Sequence, residues 1–437
     1  MPAEIVANAG LPDQDFGLWG VTAEPAPLTE ALPGDRYADV AIIGAGYTGL
    51  STALHLAELG ISAICIDSQG PGFGASGRNG GQVLPGFKLY PDQLVKTYGE
   101  ERGRAMAAFG AGIADMLFAL VARHGIACDA RQSGWVHAGH HVSKLAEQRW
   151  KHDQWASRGA NVQWLDKAAI AQQVGSEVYE GGWLDRRAGT VQPLSFARGL
   201  ARVAMAKGAA IHSGTRAHAL QRDRDGWRIS TSTGTIRARH VVLATNGYTG
   251  RLLPRLAGTL VPVDSAQVAT APLREAQRQR ILPVIACVSD TRRSLLYFRS
   301  TADGRLVMGG RGGILLSTNA SHFARLERAT RLTFPEFEGI RFTHRWAGTL
   351  AVTMDHMPHL HEPEPGLIVS LGCNGRGIAY STAMGEVIAQ RIASGNWDRA
   401  PMPVMPITPM PFAPFRRIGA AAVAGWYGWR DRRGLGA

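Results

Sequence analysis

The chain has 437 residues, too many for one hydrophobic core, so two domains are expected. Apolar residues make up 45% and charged residues 19%, a globular balance that excludes a disordered polymer. Lys and Arg number 47 against 35 Asp and Glu, a net charge of +12, yet no long Lys/Arg block marks a nucleic-acid surface.

Residues 1–36 are rich in Pro, Ala and Gly without periodicity and read as an extended arm. MPAEIVANAGLPDQD has no basic start followed by an apolar run, so no secretory signal is expected. DVAIIG (39–44) is a short buried strand, and GAGYTGLSTALHLAELG (44–60) has helical spacing with Gly60 as a stop. ISAICID (61–67) is a second buried strand, completing a strand–helix–strand unit. The glycine-dense GPGFGASGRNGGQV (70–83) follows, with little that fills a core; such a run serves close backbone approach or unusual dihedrals. Amphipathic helices are expected over 90–185, then a helix entered at Pro193. HVVLATNG (240–247) is another strand ending in a small-residue turn, and 255–339 reads as strand-rich. GLIVSLGCNGRGIAYSTAMGEVIAQRI returns to strand, glycine loop and helix, and a Pro-rich linker with a short helix closes the chain. No apolar run approaches the roughly 20 residues that span a bilayer, so a cytoplasmic protein without stable membrane insertion is expected. Cys65, Cys128, Cys287 and Cys373 are scattered with no CxxC pair, so they are expected as free thiols, with no metal site. His356, His359 and His361 lie close together, but their spacing fits no common ligand motif and Pro358 and Pro363 interrupt it.

Gly44, Gly46 and Gly49 form GxGxxG between a strand and a helix, with Asp67 at the end of the next strand. The first Gly permits the tight turn, the second lets a pyrophosphate approach, and the third lets helix and strand pack. The helix N-terminus adds N–H donors, and Asp67 would accept from ribose hydroxyls. NAD and FAD both fit this fingerprint. The turn at Ala244 and Thr245, and the loop carrying Gly372, Gly375 and Gly377, tip the reading to FAD. The second loop would aim backbone donors at a ring that gains negative charge on reduction.

Several motifs in order carry a resemblance: Trp19, Thr22 and Ala23, then DVAIIGAGYTGLSTALHLAELG, GFGASGRNGGQV, DRRAGTVQP, ATNGY, YFRSTADGRLVMGGR, RWAGTLAVTMDHMP and GCNGRG. The chain resembles the FAD-dependent amine and amino-acid oxidases of the D-amino-acid oxidase superfamily, most of all the γ-glutamylputrescine oxidase-like proteins. The resemblance implies an α/β (overall α+β) fold: a discontinuous Rossmann-type FAD domain (37–89, 186–254, 340–398) and a mixed-sheet substrate domain (90–185, 255–339), with 399–437 as linker and helix. It implies that a C–N bond is oxidised by hydride transfer to flavin, giving an imine that water hydrolyses. The acceptor would be O2 or, in a dehydrogenase acting also on pipecolate- or proline-like amino acids, a quinone or carrier.

Cofactor contacts are expected from Gly44, Gly46, Tyr47, Thr48, Gly49, Asp67 and Ser68. More are expected from Gly74, Ala75, Ser76, Arg78, Asn79, Gly80, Gly81 and Gln82, with the 70–83 loop running along the ribityl chain to the isoalloxazine. Ala244, Thr245, Gly348, Gly375, Arg376, Gly377 and Ile378 complete the set. Tyr297, Arg299 and Arg311 are expected on the substrate wall, since Arg suits bidentate carboxylate capture. Trp346 and Arg376 are expected to shape the pocket over the ring, Arg376 also stabilising reduced flavin. Two departures separate the chain from sarcosine oxidase-like relatives. Residues 346–355 hold no Cys for a covalent flavin bond, and Arg376 stands where their loop has His, with no Lys beside it. Lys88, Lys96, Lys144, Lys151, Lys167 and Lys207 all lie in the first half, so those relatives' oxygen-activating and carboxylate-binding lysines are expected to be missing.

Overall fold

The computed structural model describes residues 16–250, 252–284, 287–315, 317–335 and 339–432; the first fifteen residues of the expected arm and the last five of the tail lie outside them. The strands Arg36–Ile43, Ala63–Ile66 and Ala210–His212 pair in parallel, and Thr235–Leu243 and Leu367–Leu371 extend the sheet on the other side of Arg36–Ile43, also in parallel. His359–Glu364 closes that edge antiparallel, and the hairpin Ala217–Asp223/Gly226–Thr231 is attached to Thr235–Leu243. Val40, Ile42, Cys65 and Val242 face helices on one side of the sheet, while Ala41, Ile64 and Val241 pack into a second cluster on the other. Burial on both faces is why these strands are short continuous apolar runs.

Three helices cover the first face: Tyr47–Glu58, Pro193–Ala206 and Gly377–Ser394. The first and last cross closely at Gly385, where a Cβ would lie 2.4 Å from the Ser51 side chain; Ser51 Oγ donates to Thr382 O at 2.6 Å there. Each fully buried Leu on that face, such as Leu50 and Leu54, contributes about 2 kcal/mol by removal from water.

The second sheet runs Phe342–Val352, Val261–Thr270, Leu306–Arg311, Leu296–Ser300, Cys287–Asp290, Trp135–Gly139, Gly181–Asp185, Val162–Leu165. It is antiparallel except where Cys287–Asp290 meets Trp135–Gly139. Two segments fall differently from the sequence reading. Phe342–Val352, grouped with the nucleotide-binding segment 340–398, pairs along Val261–Thr270 in the second sheet. The helices Pro91–Tyr98 and Glu100–His124, grouped with the substrate segment, send Leu94, Met106, Ile113, Ala114 and Leu117 into the first core. Glu100–His124 is also long and apolar enough to cross a membrane, against the expectation, and its buried face is that core contact.

Candidate active site

All four strands Arg36–Ile43, Ala63–Ile66, Thr235–Leu243 and Leu367–Leu371 are parallel, so their carboxyl ends and the turns after them share one edge, where open α/β sheets take ligands. The three fingerprint glycines divide the work there. Gly44 has φ +108, and a Cβ on it would lie 2.8 Å from Ala244 O. A Cβ on Gly49 would lie 1.9 Å from Gly44 O, so the helix enters against bare backbone. Gly46, the N-cap of Tyr47–Glu58, has only the Ser76 side chain within 4 Å of such a Cβ, with Oγ at 3.0 Å. Thr48 is buried inside that helix, and its carbonyl accepts from Thr52 Oγ1 at 2.8 Å. The half-buried Asp67 carboxylate accepts from the amides of Ala45 (2.9 Å), Gln69 (2.8 Å) and Gly70 (3.1 Å). Burial raises its pKa and those amides oppose the rise; of about four lone-pair positions, one remains for a further donor. The next residue, Ser68, is exposed.

The glycine-dense segment folds over this edge around a short helix, Ala75–Arg78, capped at Gly74. Ser76 Oγ accepts from Tyr47 N at 3.1 Å, and Tyr47 Oη donates to Ser76 O at 2.5 Å. Asn79 Nδ2 donates to Tyr47 Oη, Ala75 O and Ser76 O, and Asn79 Oδ1 accepts from Gly81 N at 2.8 Å. Gly80 lies under the Tyr297 ring, where a Cβ would come within 2.6 Å, and Gly348 presses its backbone on Arg78. Across the edge, Asn246 ties two turns together by accepting from Gly372 N at 2.9 Å and reaching Cys373 Sγ at 3.4 Å. Gly375, exposed and with φ +78, leads through Arg376 into the helix Gly377–Ser394, whose first turn buries Ile378.

Beside that loop lies a cluster of aromatic rings and cationic groups. Arg376 Nη1 donates to Pro85 O at 3.0 Å, and its guanidinium sits 5.7 Å over the Trp135 ring. Lys151 pairs with Glu147 at 2.6 Å and lies 5.8 Å from the Tyr90 ring centroid. Lys88 is open to water and stands near Arg376, Lys151 and Cys373. Loss of part of its hydration, then the neighbouring Arg376 and Lys151, lower its pKa from the ordinary value. His137, stacked 5.0 Å from Trp135, is held well below its ordinary pKa by burial and then by Lys151, Arg376 and Lys88, so it is neutral.

Residues 39–391 match the family model described as FAD dependent oxidoreductase, or DAO. The chain belongs to this family. It is 31% identical over 377 residues to the probable oxidoreductase OrdL of Rhizobium meliloti, covering 86% of this chain and 87% of that one. It is 30% identical over 402 residues to the gamma-glutamylputrescine oxidoreductase of Escherichia coli, covering 91% and 93%. Among solved structures it is similar to glycine oxidase from Geobacillus kaustophilus, with TM-score 0.71 and 21% identity, covering 84% of this chain and 98% of that one. The protein is thus an FAD-dependent oxidoreductase of the DAO fold. Its site fits the cofactor: only the Ser76 side chain near a Cβ on Gly46, none of the described atoms within 4 Å of a Cβ on Gly375, and two helix N-termini on one edge.

The oxidoreductase brings Gly44, Gly46, Asp67, the 74–82 segment, Ala244, Thr245 and 375–378 to this edge. Several side chains nevertheless turn away from the roles the sequence suggested. Arg299 is buried and donates to Val191 O and, at 3.2 Å, to Gly81 O; burial lowers its pKa to about 10. It braces the loop from behind and is not on a substrate wall. Trp346 donates to Arg78 O at 3.1 Å and packs edge-on against Trp19 in a buried cluster. The Arg78 guanidinium is sandwiched 4.4 Å from both Phe16 and Phe73, and Gln82 donates to Val288 O and Phe298 O, so neither side chain is presented to a ligand. Arg311 reaches Ala424 O on the C-terminal helix. Tyr297 keeps a place over the loop, its hydroxyl 2.6 Å from Ser265 Oγ. His359 pairs with Asp355, and His361 with Met405 O. Sequence reasoning missed Lys88, Lys151, Tyr90, Trp135 and His137. The one available signal was the cation in GFKLY, directly after the glycine-dense segment.

Proposed function

We propose that this oxidoreductase oxidises a CH–NH group of an amine or amino acid. The substrate loses two electrons and two protons to become an imine, which water hydrolyses to a carbonyl compound and a released amine. O2 takes up two electrons and two protons as H2O2. The observation that carries the reading is that the glycine turns of the parallel-strand edge stand beside a cluster of aromatic rings and cations around Arg376. A relative named for γ-glutamylputrescine and a structural neighbour named for glycine support the substrate class.

Bound FAD supplies the two-electron acceptor. Gly44, Gly46 and the N-terminus of Tyr47–Glu58 would hold its pyrophosphate, and Asp67 a ribose hydroxyl. The backbone of 74–81 and the 375–378 turn would hold the isoalloxazine non-covalently, with the N-terminus of Gly377–Ser394 favouring negative charge there. Tyr90, Trp135 and Tyr297 would shed water from the substrate and fix its orientation. A cytoplasmic setting accords with four unpaired cysteines.

Purified holoenzyme should be yellow and should bleach under anaerobic titration with a panel of amines and amino acids. No bleaching by any of them would overturn the reading. Under air, stoichiometric H2O2 is expected. Turnover that needs an added quinone or dye, with no H2O2, would favour a carrier as acceptor. That second reading draws on the apolar side chains exposed at Phe415 and, on the C-terminal helix Arg416–Arg432, at Ile418 and Trp426.

A further inference from the structure

The motif at Trp19, Thr22 and Ala23 precedes the nucleotide-binding unit, yet its tryptophan reaches the glycine-dense segment. The helix Leu18–Thr22 buries Leu18 and Trp19, and Trp19 Nε1 donates to Asn79 O at 2.8 Å. Gln192 fixes that helix: its Nε2 donates to Trp19 O at 3.0 Å and to Thr22 Oγ1 at 3.2 Å, while Thr22 Oγ1 donates to Leu18 O. Neighbouring carbonyls of the segment are also held by buried donors. Arg78 O accepts from Gln267 Nε2 and Trp346 Nε1, and Gly81 O accepts from Val191 N and Arg299 Nη1. The amides divide differently. Gly77 N, Asn79 N and Gly81 N donate to Gly74 O, Ala75 O and Asn79 Oδ1, whereas Gly80 N has no partner among the described residues. In a trans peptide the carbonyl and the following N–H point in opposite directions, so the bond from buried Trp19 to Asn79 O turns the Gly80 N–H away from Trp19. Gly80 is only half-buried, and an amide in that position is satisfied by water or by a ligand.

We propose that Trp19 is a positioning residue for the flavin: through the Asn79–Gly80 peptide it aims the Gly80 N–H at the isoalloxazine. The proposal rests on the reading that the backbone of 74–81 holds that ring. An N–H whose direction is set before the ring arrives favours the negative charge the ring gains on reduction, with no reorganisation at that moment. Tryptophan suits the task because the indole Nε1 is a donor only, so its bond to Asn79 O cannot reverse. Its ring is itself held, packed at 77° against Trp346 and with the Arg299 guanidinium 5.5 Å from its centroid. Trp19 therefore acts through the segment and not on the ring.

Hydrogen exchange tests the contact in wild type. FAD should slow exchange at the Gly80 amide by about tenfold or more relative to the apoprotein. An unchanged rate would overturn the reading of the segment and the proposal with it. Trp19→Phe keeps an aromatic ring beside Trp346 and removes the donor. It should bind oxidised FAD about tenfold more weakly, and its bound flavin should have a midpoint potential about 30 mV lower, a further tenfold against reduced FAD. Trp346→Phe is the internal comparison, because Arg78 O keeps its bond from Gln267; its FAD affinity should stay within about threefold and its potential unchanged. Leu326→Ala, buried in the core of the second sheet, should lower Tm and move neither quantity. A lower Tm in Trp19→Phe with FAD affinity and potential unchanged would make Trp19 a structural brace and overturn the proposal, leaving the Gly80 contact standing. Equal shifts in Trp19→Phe and Trp346→Phe would also overturn it, since the effect would then belong to the aromatic cluster. Should Trp19→Phe not fold, Thr22→Val carries the test by loosening the same helix: it should weaken FAD about threefold and lower the potential, and no change in either would overturn the proposal.

Discussion

The two halves of the site are built on opposite plans. At the nucleotide edge, contacts are backbone on backbone: Gly44 against Ala244, Gly49 against Gly44, and Asp67 ringed by three amides. Apart from the contact with Ala244, these contacts all fall within residues 44–70 of one strand–helix–strand unit. The charged and aromatic cluster beside Arg376 is instead assembled from side chains on four separate stretches: Lys88 and Tyr90, Trp135 and His137, Glu147 and Lys151, and Arg376 with Cys373. The first plan leaves a sequence motif, because dihedral and contact demands fall on consecutive residues. The second leaves none, because only the tertiary fold brings its charges together.

Substitutions can break this contrast, beginning with the largest effect. Gly49→Val should cost about 3 kcal/mol or more, seen as a large fall in Tm, because its Cβ would collide with backbone that cannot move aside. Arg299→Met should cost about 2–3 kcal/mol in denaturant titration, since two buried carbonyls lose a charged donor. The surviving fold should keep its KM; a raised KM at unchanged stability would put Arg299 back on the substrate wall. Tyr297→Phe should cost about 1 kcal/mol through the lost Ser265 hydrogen bond.

Lys88→Met should have the smallest effect on stability, and in the opposite direction. The folded-state pKa of Lys88 lies below its ordinary value of 10.5, so the unfolded chain binds its proton more tightly. The resulting penalty is fully present below pH 8 and is relieved as pH rises toward 10.5. Ligand-free wild type should therefore gain on Lys88→Met across that window, and parallel pH–stability curves would contradict the placement.

Much of the fold was legible. The continuous apolar runs announced buried parallel strands, and GxGxxG with Asp67 announced the turn, since each rests on local periodicity. The assignment of 342–352 to the nucleotide side failed because a strand's sheet is chosen by its partner, here Val261–Thr270, which periodicity does not name. Arg78, Arg299 and Trp346 were misread for a related reason. A polar side chain near a glycine loop can serve the ligand or brace the loop, and only burial and partners separate the two. Lys88 carries no mark in the sequence, because it lies 288 positions before Arg376 and only the fold brings the two near each other.

The division of labour is tested most directly by the FAD dissociation constant of three apoproteins: wild type, Gly46→Val and Lys88→Met. Position 46 meets only the movable Ser76 side chain, so Gly46→Val keeps the fold while blocking the approach of a pyrophosphate. The expected result is at least about 100-fold weaker FAD binding for Gly46→Val, roughly 2.7 kcal/mol, with Lys88→Met within about threefold of wild type. Full FAD affinity in Gly46→Val, or its loss in Lys88→Met, would contradict the account.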